Sequence, residues 1–315
     1  MAFSGNVYGS YDFGFGTGEK NREDLLDIIV NIAPWDTPLF STCPKTTTKH
    51  TTHEWIEDTL QAASSFAGGA NEGAAFSANT VLTRSRKSNW TMIFRKDIAV
   101  TETQRALNPA GIKDEYAYQV SIGMKELARA MEYRLFADTA SATASGAARV
   151  MKTLEDLVTL GGGNVVTGQA NKATIDSLME QVYSAGGVPD RIYCHPNQKS
   201  QFVANLGAGG TSGTNLRNIA ASDARVVGNI DVYISNFGAV QLVPDRFIPT
   251  ANATTGYGRF WLLEQPKVRI AFLRPIKHVP LPPDGDRVRG MILGELTLEL
   301  MAAAAHGVAK HVTSG

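Results

Sequence analysis

The segment SNWTMIFRKDIAV, residues 88–100, alternates between apolar and polar side chains in the way that is typical of a half-buried β-strand. Its even-numbered positions from Trp90 to Val100 form the apolar face. The segment is predicted to form a hairpin with HTTHEWIEDTL, residues 50–60, across a tip, residues 61–79, that is nearly all Ala, Gly, Ser and Asn. Such a tip cannot supply a core, and a lone two-stranded ribbon is only marginally stable in water. The hairpin must therefore lie on another surface.

The composition indicates a globular chain without a strongly charged surface. The 315 residues are 43% hydrophobic, which is enough for one large or two ordinary domains. Lysine plus arginine equal aspartate plus glutamate at 30 each, so bulk binding of nucleic acid or anionic membranes is not the expected role. Cys43 and Cys194 give no disulfide framework and suit a reducing compartment. Without a signal peptide or an apolar span, the chain is expected to be soluble, made in the cytoplasm and free of membrane partners.

The N-terminal region predicts a helix followed by an extended arm. Residues 21–32 set Leu25, Ile28, Ile29 and Ile32 at helical spacing. The next twelve residues, APWDTPLFSTCP, contain three prolines, which are expected to prevent regular structure. This arm would carry hydrophobic anchors at Trp35, Leu39 and Phe40.

The strongest helical pattern begins at Ile112 and extends for about 26 residues. Gly123 is the weak point of this helix. The apolar stripe consists of Ile112, Tyr116, Val120, Met124, Leu127, Met131 and Leu135. The opposite face carries Lys125, Glu126, Arg129, Glu132 and Arg134. We expect that face to be solvated or to contact a neighbour, with a weak pair between Glu126 and Arg129.

The second half of the sequence predicts an α+β arrangement. A small-residue connector at 141–150 precedes LEDLVTLGGGNVVTG, a short helix or turn that ends in a glycine run. A helix capped by Thr174 then leads to a short strand at 192–194 and to a helix with Pro196 near its first position.

Successive strands complete the chain. Turn residues separate apolar segments at 225–237, 239–247 and 258–273. In the last strand, leucines at 296, 298 and 300 alternate with Glu295, Thr297 and Glu299, which predicts one buried and one wet face.

Sequence motifs for catalysis are absent. There is no nucleophile elbow, Walker loop or His-Glu-x-x-His, and GGGNVVTG lacks the ending of a phosphate loop. Cys43, His50 and His53 lack a fourth zinc ligand nearby. Cys194 and His195 are adjacent in a strand, so their side chains point to opposite faces. We therefore expect no catalytic residue, metal or cofactor, and an enzyme with an unrecognised site remains the weakest alternative.

Charges on the hairpin have two interpretations. One is cross-strand pairing within the hairpin, and the other is contact between subunits, where each exposed pair contributes only about 0–1 kcal/mol unless it is repeated. The acidic residues of the first arm are Glu54, Glu57 and Asp58, and the basic residues of the returning arm are Arg84, Arg86, Lys87, Arg95 and Lys96.

The order of these segments resembles the major capsid proteins of tailed bacteriophages with the Hong Kong 97 fold, in the branch that was long known only as an uncharacterised phage family. The resemblance extends over nearly the whole chain. The segments that carry it are REDLLDIIVNIAPWDTPLFS (22–41), HEWIEDTLQAA (53–63), RKDIAVTETQ (95–104), KELARAMEYRLF (125–136), AGGVPDRIYCHPNQK (185–199), VVGNIDVYISNFGAVQLVPDRF (226–247) and GELTLELMAAAAHGV (294–308).

The resemblance implies a division of the chain. It consists of an N-terminal arm (1–49), an extended β-hairpin loop (50–103), a peripheral domain with the long spine helix (104–172), an axial domain (173–270) and a return to the peripheral domain (271–315). It also implies that the hairpin lies on another copy of the same protein.

The implied function is structural. Copies would form pentamers and hexamers of an icosahedral head in the virion, around double-stranded DNA that is enclosed without sequence-specific binding. Portal, scaffold and decoration proteins are the implied further partners. An encapsulin-type nanocompartment shell is the main alternative. The proposed anchors between or within subunits are Trp35, Leu39, Phe40, Trp55, Trp90 and Phe94.

Overall fold

The computed structural model describes residues 36–66, 69, 71–73, 75, 84–107, 114–137, 148–168, 170–207, 231–249, 258–283 and 285–312. Within these ranges the helices are α1 (Pro38–Thr42), α2 (Glu102–Ala106), α3 (Glu115–Phe136), α4 (Leu154–Gly161), α5 (Lys172–Ser184) and α6 (Pro196–Gly207). The strands are β1 (Lys45–Thr47), β2 (Thr52–Glu57), β3 (Ser85–Trp90), β4 (Met92–Thr101), β5 (Asn164–Thr167), β6 (Arg191–Cys194), β7 (Val232–Ser235), β8 (Gly238–Pro244), β9 (Gly258–Leu263), β10 (Val268–Leu281), β11 (Arg287–Leu300) and β12 (Gly307–Val312). The predicted helix at 21–32, the anchor Trp35 and most of the connector at 141–150 lie outside the described residues.

Three sheets organise these strands. The four-stranded sheet has the order β1-β10-β11-β4, and the six-stranded sheet has the order β5-β12-β9-β6-β8-β7. The hairpin is a separate two-stranded sheet of β2 and β3. The α+β class is confirmed.

The division into domains stays a prediction. The pairing of β12 nevertheless differs from the expected return of residues 271–315 to the peripheral domain. This strand, at 307–312, pairs with β5 and β9 of the six-stranded sheet.

The segment 88–100 was predicted as one strand of the hairpin but forms two strands, and only the first of them belongs to the hairpin. β3 pairs with β2, whereas β4 pairs with β11 in the four-stranded sheet. The break falls at Thr91, which was predicted on the polar face but is fully buried. Its hydroxyl donates to Glu295 Oε1 at 2.7 Å, so this side chain bonds to the sheet below the hairpin. The alternation within β4 is confirmed, because Phe94, Ile98 and Val100 are buried.

The long helix α3 has 22 residues and extends over about 33 Å. Asp114 caps its N-terminus by accepting from Tyr116 N at 3.0 Å. Leu127, Met131 and Leu135 of the predicted stripe are buried. Gly123, predicted as the weak point of the helix, is instead the place where α3 approaches the sheet closely. A Cβ there would lie 2.9 Å from Ile292 Cδ1.

The opposite face of α3 is less solvated than predicted. Glu132 is fully buried and Arg134 nearly so. Arg134 Nη2 donates to Met151 O at 2.7 Å, so the end of α3 is tied to the chain before α4. Glu126 pairs with Lys96 at 2.7 Å rather than with Arg129, whose guanidinium lies over the ring of Phe247.

The proline-rich arm contains a short helix, which corrects the prediction of an extended segment. Proline is compatible with the first turn of a helix because the amide it lacks would be unpaired there. The next two amides are paired, since Leu39 N donates to Glu132 Oε1 at 2.7 Å and Phe40 N donates to Glu132 Oε2 at 2.8 Å. α1 therefore exists because a residue of α3 binds its N-terminus.

The elements of the six-stranded sheet follow the prediction in part. The predicted strand at 258–273 is divided between β9 in this sheet and β10 in the four-stranded sheet. β6 and α6 occur where they were predicted. α4 ends at Gly162, whose φ of 87° requires glycine. The cap of α5 is Asn171 rather than Thr174, because the Asn171 side chain accepts from Thr174 N at 2.9 Å.

Two hydrophobic cores hold the elements together. The larger core packs α1, α3 and α4 against the four-stranded sheet and includes Tyr193 and Trp261 from the six-stranded sheet. The second core packs α5 and α6 against the six-stranded sheet. No helix in the described ranges is long and apolar enough to cross a membrane. Cys43 and Cys194 are both buried, and burial raises the pKa of each thiol to about 12.

The last predicted strand, β11, has no wet face, contrary to the prediction. Glu295, Thr297 and Glu299 are 2%, 0% and 6% exposed. β11 lies between β10 and β4. Its Ile292 packs against Gly123 of α3, and the hairpin base binds Glu295 and the backbone of Leu298. Its acidic residues consequently need partners from this chain.

Substituting Gly123 by valine tests the contact between α3 and the sheet. The added carbons meet Ile292 and Ile98 in a packed core, so we expect the free energy of unfolding to fall by about 1–3 kcal/mol. Chemical denaturation of the unassembled chain measures this change. Ala130→Val is the matched control, because Ala130 is exposed on the same helix. Equal losses for both variants would contradict the close contact.

We expect His306 to lower the free energy of unfolding in acid. The imidazole is fully buried; its Nδ1 accepts from Glu264 N, and its Nε2 donates to Met301 O at 3.2 Å. Burial lowers the pKa of His306 from 6.5 to about 4, so the folded state favours the neutral ring. The contribution of the neutral ring to the free energy of unfolding is fully present above pH 6.5. It is lost as the pH falls toward 4, and the total loss is about 3 kcal/mol.

Denaturant titrations between pH 7.5 and 4.5 check this expectation. His306→Gln removes the titrating group, so its stability should fall less steeply with acid than that of the wild type. An unchanged slope in the variant would show that other groups cause the acid sensitivity.

Candidate inter-subunit interface

The hairpin has two faces with different surroundings. Opposite residues of an antiparallel pair share a face, and the register pairs His53 with Asn89 and Ile56 with Arg86. His53, Trp55 and Glu57 of β2 therefore lie on one face, which we call the inner face. Its opposite residues on β3 are Ser85, Lys87 and Asn89. The outer face carries Thr52, Glu54, Ile56, Arg86, Ser88 and Trp90.

The inner face is bonded to the body of its own chain. His53 Nε2 lies 3.0 Å from Glu299 Oε2, and Glu57 Oε1 accepts from Ala302 N at 2.8 Å. Trp55 packs against the larger core. These contacts join the hairpin to the end of β11 and to the turn that follows it.

Asn89 is a fully satisfied buried amide at the base of the hairpin. Its Nδ2 donates to Leu298 O at 2.8 Å and to Lys152 O at 3.2 Å. Its Oδ1 accepts from Lys152 N at 2.8 Å and from Trp90 N at 2.9 Å. A buried amide with four partners fixes the orientation of β3, because any rotation leaves polar atoms unpaired.

Glu295 fixes the junction between the hairpin and the four-stranded sheet. Its Oε1 accepts from Thr91 Oγ1 at 2.7 Å and from Arg149 Nη2 at 2.6 Å, and its Oε2 accepts from Arg274 Nε at 2.8 Å. Burial alone raises the pKa of Glu295, but the three hydrogen bonds outweigh it and hold the pKa below its usual value. The carboxylate is therefore charged and binds three separate segments.

Four of the charges that the sequence singled out lie on the outer face or at its end. Arg86 Nη2 lies 2.8 Å from Glu54 Oε1, and Arg84 Nε lies 3.1 Å from Asp58 Oδ2. Cross-strand pairing, one of the two interpretations, is thus present in the single chain. Both pairs are largely exposed, so each contributes only about 0–1 kcal/mol. They can exchange partners at little energetic cost.

The other predicted basic residues also have local surroundings in this chain. Arg95 pairs with Asp97 at 3.0 Å, and Lys96 pairs with Glu126. Lys87 and Glu57 lie on the inner face beside a cleft of about 70 Å³ that is also lined by Leu157. Sites for substrates are several times larger than this cleft.

The predicted anchors separate into buried and exposed groups. Leu39 is 0% and Phe94 6% exposed, and both lie in the larger core of their own chain. Both side chains therefore pack within their own subunit, which is one of the two roles expected of the anchors. Phe40 is half-buried, against the edge of Phe272.

Large exposed apolar residues lie on and beside the outer face. Ile56 is 68% exposed and Leu60 is 96% exposed, although neither was among the predicted contacts. Trp90 lies on the same face and is partly exposed. The sequence showed an isoleucine within a strand. It did not show that this isoleucine is exposed, because that depends on which face of the hairpin the body of the chain covers.

The functional residues that the sequence missed are those of the hairpin base. Glu295 and Glu299 were assigned to a solvated face, and Arg149 to a connector. The sequence showed that these residues are acidic or basic and could form ion pairs. It did not show that Arg149 binds Glu295, because the two are 146 positions apart. Spacing along one strand cannot show such a partner.

The chemistry sought in the sequence does not assemble in the structure. In the part of the chain that is described, no three His, Cys, Asp or Glu side chains are grouped so as to hold a metal ion. His195 Nδ1 accepts from Asn197 N rather than from Cys194. With its pKa raised to about 12, Cys194 remains a thiol at neutral pH.

Solved structures with the same fold belong to viral and cellular shells. The capsid asymmetric unit of cyanophage A-1(L) matches with a TM-score of 0.70 at 13% identity, covering 93% of this chain and 98% of that one. Mycobacterium phage Bobi matches with a TM-score of 0.64 at 14% identity, covering 92% and 95%. The SrpI encapsulin of Synechococcus elongatus matches with a TM-score of 0.61 at 13% identity, covering 93% of both chains.

A search of curated proteins found no match. At these identities the solved structures establish the fold, which is that of the Hong Kong 97-like capsid proteins. The sequence family described as the SU10 major capsid protein matches residues 8–313, nearly the whole chain. The chain therefore belongs to this family of major capsid proteins, which form the shells of phage heads.

Proposed function

We propose that copies of this chain form pentamers and hexamers that close into an icosahedral head around double-stranded DNA, and that the outer face of the hairpin joins one copy to the next. The observation that carries the proposal is the difference between the two faces. The inner face is bonded to its own chain, while Ile56 and Leu60 remain exposed on a hairpin whose base is immobilised.

A second copy is the partner that best fits this exposure. Ile56 and Leu60 belong to a capsid protein, whose copies must contact one another to build a shell. The hairpin and the surface that receives it are different parts of the chain, so the contact is head-to-tail and can close into a ring. Apolar area buried in that contact contributes about 25 cal/mol per Å².

The charges around Ile56 would set the alignment of the contact. Glu54, Asp58, Arg84 and Arg86 are exposed and paired only weakly within the hairpin. Repeated around a shell, such pairs favour one arrangement of neighbours over others. Trp90 and the half-buried Phe40 are the remaining predicted anchors with surface available for a neighbour.

The division into arm, extended loop, peripheral domain and axial domain belongs to the same proposal. The four-stranded sheet with α3 would be the centre of the peripheral domain. The six-stranded sheet with α5 and α6 would be the centre of the axial domain. The pairing of β12 would add residues 307–312 to the axial domain.

The wider setting of the shell is proposed as well. We infer a structural protein without enzymatic activity, made in the host cytoplasm, that works with a portal, a scaffold and possible decoration proteins. Equal numbers of acidic and basic residues suit DNA that is enclosed without tight binding.

An encapsulin-type shell is the alternative, and the fold shared with the SrpI encapsulin is the observation that favours it. Both kinds of shell would use the same hairpin contact. The contents of particles purified from the native source distinguish them, because nuclease-protected DNA supports the phage head and copurified enzymes support the nanocompartment.

Ile56→Asp tests the outer face. A carboxylate at an apolar contact must be desolvated without a partner, so we expect the yield of closed particles in negative-stain microscopy to fall at least tenfold. Because Ile56 is 68% exposed, the stability of the unassembled chain should change by less than about 0.5 kcal/mol. Ile56→Val keeps the apolar contact and serves as the control. Normal particles from Ile56→Asp would show that this face does not join subunits.

Glu295→Gln tests the base of the hairpin. The substitution removes the charge that Arg149 and Arg274 share, so we expect the free energy of unfolding to fall by about 3 kcal/mol. Hydrogen exchange should rise first in residues 50–60 and 84–92. Glu54→Gln, an exposed carboxylate that also binds an arginine, should cost about 0–1 kcal/mol. Equal effects of the two substitutions would mean that Glu295 does not fix the hairpin.

A further inference from the structure

A pair of buried carboxyl groups lies where α1 meets both sheets. Glu132 on α3 and Asp245, directly after β8, are each 0% exposed and lie within hydrogen-bonding distance of one another. Glu132 also accepts the amides of Leu39 and Phe40 from α1. The pair thus joins the N-terminal arm, the long helix and the six-stranded sheet.

The hydrogen bonds around Asp245 require a proton on the pair. Asp245 Oδ1 accepts from Phe247 N at 2.8 Å, whereas Oδ2 is buried and has no donor in the described part of the chain. Two ionised carboxylates can only accept, so they would leave this oxygen unpaired and repel each other. A proton on Glu132 supplies the missing donor while both of its oxygens still accept from α1.

The other titratable groups near the pair keep their protonation state between pH 7 and 10. Cys43, directly after α1, and Cys194, at the end of β6, have pKa values raised to about 12 by burial. Burial raises the pKa of Tyr193, and burial lowers the pKa of His195, which is neutral in this range.

The cations nearby are Lys45 and Arg191, which act on the Cys43 thiol, and Lys199, which acts on the Cys194 thiol. Arg129 stacks on Phe247, in the same loop as Arg246. Among the groups around α1 whose pKa is shifted, Glu132 is the one whose pKa falls between pH 7 and 10.

We propose that Glu132 and Asp245 share one proton at neutral pH and form an alkali-sensitive latch that holds α1 against the body of the subunit. Loss of the proton places two like charges in a buried site, and detachment of α1 relieves this cost because it opens the site to water. The latch acts within one chain, so it does not depend on how copies assemble.

The electrostatics give the direction and the pH range. Burial raises the pKa of Glu132 from 4.5 to about 9, and the hydrogen bond and charge of Asp245 act in the same direction. Burial raises the pKa of Asp245 as well. For a raised pKa, the stabilising contribution is present at low pH and is lost as the pH rises through the folded value, here about 9.

Limited proteolysis of the unassembled full-length chain between pH 7.5 and 10 tests the latch. Rates of cleavage within residues 36–48 are divided by the rate for a free peptide of the same sequence, which removes the pH dependence of the protease. In the wild type the corrected rate should rise at least tenfold. No rise would overturn the proposal.

Asp245→Asn is the decisive variant. The amide introduced at position 245 donates to the ionised Glu132 and still accepts from Phe247, so the site is satisfied without the shared proton. We expect the corrected cleavage rate of this variant to rise less than threefold between pH 7.5 and 10. Glu126→Gln, on the exposed side of α3, is the matched control and should behave like the wild type. A tenfold rise in Asp245→Asn would contradict the latch.

A second measurement needs only the wild type and covers the case in which the variant does not fold. Exposed carboxyl groups are ionised at pH 7.5, so an infrared C=O stretching band of a protonated carboxyl group at this pH reports the buried pair. The band should be present at pH 7.5 and disappear by pH 10. Its absence at pH 7.5 would exclude a shared proton.

Discussion

The buried carboxylate of Glu295 is the interaction on which the position of the hairpin depends. It lies on β11, the inner strand next to β4, and binds Thr91 at the end of the hairpin, Arg149 before α4 and Arg274 on β10. Each donor comes from a different segment, so one charged group fixes three parts of the chain. Burying this charge is costly unless it is fully paired, and here both oxygens are. The rigidity of the hairpin base follows from that pairing.

A rigid base makes the two faces of the hairpin serve different purposes. The inner face contributes to the stability of the subunit through Asn89, His53 and Glu57, which bind β11 and the turn that follows it. The outer face contributes little to the subunit, since its ion pairs are exposed. A capsid protein benefits from this separation, because contacts between copies can form and rearrange without unfolding the chain that carries them.

The same arrangement of buried acidic groups recurs at α1. Glu132 caps this short helix from a position 93 residues away, and Asp245 adds a carboxyl group from the other sheet. A five-residue helix cannot persist by its own propensity, so its existence depends on this tertiary contact. α1 is thus attached to the subunit by the hydrogen bonds of Glu132 as well as by Leu39 in the core.

Local patterns were sufficient for much of the fold. The apolar stripe of α3, the alternation of β4, the glycine end of α4 and the Pro196 start of α6 are each set by residues within a few positions of one another. Their prediction succeeded because helices and strands repeat every 3.6 and 2 residues. The fold class and the capsid resemblance followed from the order of these elements.

Tertiary structure decided the break at Thr91, the helix in the proline-rich arm and the burial of the acidic residues on β11 and α3. An acidic side chain in an amphipathic pattern can be exposed to water or be buried beside a partner, and the sequence does not show which of the two it is. The partner of Glu295 lies 146 positions away, and the amide that Glu132 binds lies 93 positions away. Only folding brings such groups together, because their attraction acts over a few ångströms in space and not along the chain.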